Sequence, residues 1–174
     1  MKFKKQIAAL ALVSASLSVP MAQANAADKL ELYDQYLNIQ AAIADVDNMD
    51  NGVAAVIAYG HVIPEVSKKF ALEAEVTTTV VDPERPGTEM SYSTLGAYAV
   101  YAPPISESVA LRGRAGLIYQ DISVTGQGKS DNDFEVSFGF GATTELANDL
   151  HLIFEYTVMD SDISHISAGI QLRM

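Results

Sequence analysis

The sequence predicts an all-β protein, an eight-stranded antiparallel up-and-down transmembrane β-barrel. Three observations predict it. Behind a basic, apolar leader, hydrophobic residues recur with period two in eight separate runs, and no long stretch shows the apolar face of a helix. Stretches rich in Gly, Pro, Asp and Asn punctuate the runs. The parity opposite the apolar one carries small and polar residues and, in mid-strand, charges of both signs.

Composition bounds the alternatives. Of 174 residues, 49% are hydrophobic and 19% charged, too apolar for a disordered chain. The formal charge is −11 with no basic run, which argues against a nucleic-acid partner. Cysteine is absent, which removes disulfides, thiolate metal sites and Cys nucleophiles together.

The leader comes first. Lys2, Lys4 and Lys5 are basic, Gln6 to Met21 is uncharged, and Ala24-Asn25-Ala26 fits the small-x-small rule for cleavage. Residues 1–26 read as a signal peptide and residues 27–174 as a single barrel domain. The uncharged stretch is shorter and more Ser-rich than the ~20 apolar residues of a membrane anchor. Its removal takes the formal charge from −11 to −14.

The eight runs follow in order, each quoted in its apolar parity. They are Leu37 to Ile43, Val53 to Tyr59, Phe70 to Val76, Leu95 to Tyr101, Val109 to Tyr119, Phe134 to Phe140, Leu150 to Val158 and Ile166 to Met174. The other parity holds seven formal charges: Glu73, Glu75, Glu135, Glu155, Arg112, Arg114 and Arg173. Turn signals at Asp45 to Gly52, Asp82 to Thr88, Thr125 to Asp133 and Asp160 to Asp162 form one set. Pro64 to Lys69, Pro103 to Ser108 and Leu146 to Asp149 form the other. The sets alternate along the chain, so they lie at opposite ends of a meander.

Two barrels fit such a pattern. A soluble barrel puts the apolar parity inside; a membrane barrel puts it in lipid. Small residues crowd the polar parity, as suits a narrow lumen, and its charges are of both signs, as suits internal pairing. Tyr59, Tyr101 and Tyr119 fall at strand ends, where an interfacial aromatic girdle lies. These favour the membrane barrel.

The segment KKFALEAEVTTTV (Lys68 to Val80) resembles the ALEAxY strand of small outer-membrane barrels. LRGRAGLIYQDISV (Leu111 to Val124) resembles their GxAGLGY strand, and Phe134 to Met174 resembles their last three strands. The chain is thereby similar to the outer-membrane β-barrel family that includes OmpA-type and OmpX-type barrels, the porin family of Gram-negative cell envelopes. The resemblance implies an outer-membrane location with the N-terminus in the periplasm. The closing residue is Met174, where the family's assembly signal prefers an aromatic.

That orientation places Glu73, Glu75, Arg112, Arg114, Glu155 and Arg173 at one level near the periplasmic rim, where they form a structural lumen charge network. The functional counterpart of such a network is an ion-selective gate. An eight-stranded interior is about filled by side chains, which favours the structural role.

Catalytic and metal chemistry find weak footing. His165-Ile166-Ser167 places a His and a Ser on one face, distantly similar to the pair of lipid A deacylases, but that face points away from lipid. His61 and His151 have no partners at ligand spacing, and the acids Asp45, Asp47 and Asp50 lack EF-hand order because Met49 interrupts them. No catalytic residue, metal site or cofactor is read. The expected function is a non-enzymatic surface protein, structural or adhesive. The alternatives are a narrow low-conductance porin and a lipid A-modifying enzyme. Expected partners are outer-membrane lipid and lipopolysaccharide, the outer-membrane assembly machinery and an unidentified surface ligand. The protein is expected to be a monomer.

Overall fold

The computed structural model describes residues 34–125, 129–147 and 149–174, so the leader at residues 1–26 lies outside the described residues. The described chain forms β1 (Gln35–Val46), β2 (Gly52–Val62), β3 (Phe70–Val81), β4 (Glu84–Arg85), β5 (Thr88–Tyr101), β6 (Val109–Thr125), β7 (Lys129–Ala147), β8 (Leu150–Val158) and β9 (Ile163–Arg173). The hydrogen-bonded order is β3-β2-β1-β9-β8-β7-β6-β5, and β3 pairs with β5 to close the ring. All pairings are antiparallel. Eight strands make the wall, and β4 is a two-residue ribbon on the end of β5. Gly87, at φ 78°, follows Pro86 in the turn between them, where a β-branched residue would be strained.

Side chains alternate across the wall. Ile39, Ile43, Ile57, Leu72, Val76, Leu95, Leu117, Phe138 and Phe154 are exposed on the outer face. Tyr59, Tyr101 and Tyr119 are exposed with them, Tyr101 packing on Phe70 at 5.0 Å and Tyr119 on Phe134 at 5.1 Å between ring centroids. The outer face is the apolar one, so the barrel is inverted relative to a soluble protein, as a membrane barrel must be.

Two features depart from the expected strand pattern. Thr125 to Asp133 was expected to be a turn, yet β6 runs to Thr125 and β7 begins at Lys129. These strands are 17 and 19 residues long, while β8 has 9. Along them the alternation reverses beyond Tyr119. Outward Asp121, Ser123 and Asn132 are exposed, and inward Ile122 and Val124 are partly buried. The reversal marks where lipid ends. A hairpin standing in water gains nothing from an apolar outer face. The second departure is the Asp82 to Thr88 stretch, which contains β4 rather than a plain turn.

Call the end where the chain enters at Gln35 and leaves at Arg173 the near end. Gly60 admits Tyr36 there: a Cβ on Gly60 would stand 2.0 Å from Tyr36 Cζ. Tyr36, Val62, Ala71 and Val100 are buried on this side. Toward the far end Ala44, Val46, Met90, Tyr92, Ile118, Met159 and Ile163 fill the interior, with Met49, Ile122 and Val124 packed against them.

Phe154 sits mid-strand on β8 and Ser93 at the far margin of the apolar band on β5. Phe154→Arg is expected to cost about 2–4 kcal/mol and Ser93→Arg about 1 or less. Urea titration of the barrel in lipid vesicles checks this ranking.

Candidate functional site

Between the two apolar ends lies a polar belt. Arg112 and Arg114 rise from consecutive inward positions of β6. In the closed ring β3 and β8 stand on opposite walls, each two strands from β6. The arginines therefore reach both walls. Arg112 bonds Glu73 through Nη2 and Glu155 through Nε at 2.7 Å. Arg114 Nη1 bonds Glu75 and lies 3.2 Å from Glu73 Oε1, and its Nε lies 2.6 Å from Glu155 Oε1. All five side chains are at most 3% exposed.

Neutral groups complete the belt. Asn38 donates to Glu73 at 3.1 Å and accepts from Gln171 at 3.0 Å. Thr157 accepts from Arg114 Nη2 at 2.9 Å and donates to Glu155 at 3.1 Å. Thr77 donates to Glu75 at 3.4 Å. The Arg114 guanidinium lies 4.2 Å from the centroid of the Tyr98 ring, and Arg112 5.8 Å from that of Tyr36. Tyr98 has room because Gly96 lacks a side chain: a Cβ there would be 2.6 Å from the ring.

Five of the six residues expected in the network are thus in contact, and Arg173 is not among them. It shares their inward parity, but it ends β9, where the wall stops. Its side chain is 47% exposed and lies 3.6 Å from Asp149 across the near rim. Parity fixes which face a residue takes; it does not say how far below the rim it stands. Conversely, Tyr36, Asn38, Thr157 and Gln171 belong to the belt. Their polar or aromatic character in the inward parity was the only signal for them.

The possible His–Ser pair is not made. Both residues are buried. His165 Nε2 bonds the Tyr92 hydroxyl at 2.5 Å, across the barrel from β9 to β5. Ser167 Oγ donates to Gln40 at 2.8 Å and to the Glu155 carbonyl at 3.3 Å. The hydroxyl therefore has acceptors other than the imidazole, and neither group faces lipid. At the far end Asp47 and Asp50 are exposed and Asp45 half-buried, and Asp47 N–H bonds the Asp162 carbonyl at 2.9 Å.

A closed ring, an apolar outer face, an aromatic margin and a charged interior define one kind of protein. The family model described as outer membrane protein beta-barrel domain matches residues 8–171. The chain belongs to that family. Solved structures agree in fold. Neisserial surface protein A is 18% identical, with a TM-score of 0.64 over 81% of this chain and 97% of that one. OprG of Pseudomonas aeruginosa is 11% identical, with a TM-score of 0.60 over 82% and 96%. Ail, the attachment invasion locus protein of Yersinia pestis, is 13% identical, with a TM-score of 0.51 over 79% and 96%. Comparison with curated protein sequences finds no match. A periplasmic N-terminus, which the sequence resemblance implies, would make the near end periplasmic and the far end extracellular.

Arg114 is the hub, because Glu75 has its ion pair with Arg114 alone among the described contacts. Arg114→Met is expected to destabilise by about 3–5 kcal/mol, since it leaves buried carboxylate uncompensated. Combining it with Glu75→Gln should cost less than the two single losses together, with a coupling of roughly 0.5–3 kcal/mol. Arg173→Ala, at an exposed pair, should cost about 1 kcal/mol or less. Denaturant titration in lipid of the four-member cycle and of Arg173→Ala measures all three.

Proposed function

We propose that this outer-membrane barrel is a plugged, non-enzymatic protein whose role is structural and surface-directed. One observation carries the reading: the interior is filled at three successive levels. Tyr36, Val62 and Val100 occupy the periplasmic end, the five-residue ion network spans the middle, and Met90, Tyr92, Ile118, Met159 and Ile163 cap the extracellular side. These apolar side chains narrow the space on both sides of the charged belt, and polar side chains at the extracellular level bond to one another, His165 with Tyr92 and Gln120 with Asp160. Eight strands enclose a space that side chains about fill, so the packing follows from the strand number.

The engagement of Ser167 with Gln40 and of His165 with Tyr92 supports the non-enzymatic part. In this reading the leader at residues 1–26 exports the chain and the assembly machinery inserts it. The barrel then stands as a monomer, with lipid and lipopolysaccharide against its apolar band. What it offers to the outside is the extracellular rim and the β6–β7 hairpin.

Planar-bilayer recording of the purified barrel tests the proposal. Silence under applied voltage is expected. Steady single-channel currents would replace it with the narrow-porin reading.

A further inference from the structure

The wall is uneven at its extracellular end. The pairing of β7 with β8 stops at Phe138 opposite Val158, whereas β7 continues along β6 as far as Lys129. Beyond Val158 the chain does not follow β7. Met159 turns into the barrel, where it is buried, and Asp160 accepts from Gln120 of β6 at 2.9 Å. The position beside the upper half of β7 is thereby left without a strand.

The ladder tells which backbone groups face that position. Glu145 N–H bonds the Ser108 carbonyl, so the odd residues of β7 bond toward β6 and the even ones toward β8. Asn132, Phe134 and Val136 therefore direct their N–H and C=O groups along the open side. The Phe134 N–H is held at 2.7 Å by the carboxylate of Asp133, a local contact that an incoming carbonyl can replace. On the outer face of this edge Phe134 and Val136 are 71% and 65% exposed, and on the other face stand the carboxylates of Asp133 and Glu135.

Resting on the surface-directed reading above, we infer that the free extracellular edge of β7 docks an extended segment of a partner protein in which basic residues alternate with apolar ones. Strand addition supplies main-chain bonds to Asn132, Phe134 and Val136. Cross-strand neighbours set the chemistry. Lys or Arg falls beside Asp133 and Glu135, and apolar side chains fall beside Phe134 and Val136 at the membrane surface. Acidic residues predominate around the edge: Asp121, Asp160 and Asp162 lie in the same extracellular region, on β6 and in the β8–β9 loop. A second copy of this edge is the poorer occupant, because antiparallel self-pairing sets acidic residues against acidic residues.

The test uses the intact barrel in zwitterionic nanodiscs and a short synthetic peptide alternating Lys and Val. Amide resonances of Asn132, Phe134 and Val136 should move on titration. N-methylation of alternate peptide amides should abolish binding, with the protein unchanged. Val136→Pro, which removes an edge N–H without touching the β6 ladder, should weaken binding roughly tenfold or more. Asp133→Asn with Glu135→Gln should weaken it and flatten its salt dependence. An unresponsive wild-type edge overturns the inference. So does binding that survives N-methylation, which would mean a charge coat on the acidic rim, and so does equal binding of a Glu/Val peptide. Conductance separates this result from the function proposed above. A silent barrel that ignores the peptide overturns the docking edge alone, and a conducting barrel overturns the plugged reading whatever the peptide does.

Discussion

Hydrocarbon offers a backbone amide no partner, so a strand crosses a bilayer only with another strand on each side of it. Here the pairing of β3 with β5 closes the ring, so that over the band where all eight strands run together each has a partner on both sides. Closure then dictates the chemistry of the side chains. One parity must dissolve in lipid, and every group that cannot do so is turned inward. Because eight strands enclose little space, the inward groups meet one another rather than water.

The interior is consequently a sorting problem, solved by layers. Charged groups sit where they reach counter-charges from opposite walls, which is the middle of the barrel. Arg suits the position because its planar fork serves two carboxylates at once: Arg112 joins Glu73 on β3 to Glu155 on β8. Such a network adds little net stability over an apolar filling, but it is costly to break from one side. It favours a single arrangement of the strands, because a one-residue slip would turn these charges into lipid. The unlike ends follow. Apolar side chains line the lumen above and below the belt, and small residues such as Gly60 and Gly96 leave room for Tyr36 and Tyr98.

Much of this was legible in the residues, and the failures share a cause. Period two reports which face a side chain takes, so the outward set from Leu37 to Ile170 and the inward Glu73, Glu75, Arg112, Arg114 and Glu155 were readable. Period two does not report height. Arg173 has the right parity at the wrong level, beyond the buried part of the wall. The same blindness hid the tall hairpin. Above Tyr119 the surrounding medium changes from lipid to water, and the alternation inverts with it. Ile122 and Val124 turn inward while Asp121 and Ser123 turn out. Read with a lipid rule, that stretch resembles a turn; read with an aqueous one, it is an ordinary amphipathic hairpin. The apolar group at the far end was missed for the same reason, since Met90 and Tyr92 belong to the inverted part of β5. The run Met90, Ser91, Tyr92, Ser93 carried the signal, with its polarity opposite to that of the Leu95 to Tyr101 run below it.

The central claim is that side chains, not water, fill the lumen. The absence of cysteine makes a direct measurement clean, because a single introduced thiol is the only reactive one. Ser137 is fully buried inside the barrel, its hydroxyl bonded to the Val158 carbonyl at 2.8 Å and to Tyr98 at 3.1 Å. Ser161 is exposed in the β8–β9 loop at the far end. In membranes, Ser161→Cys should react rapidly with a small water-soluble thiol reagent, while Ser137→Cys should stay protected until the barrel is unfolded. Reaction of both at similar rates in the folded protein would contradict a filled lumen and show a water-accessible one.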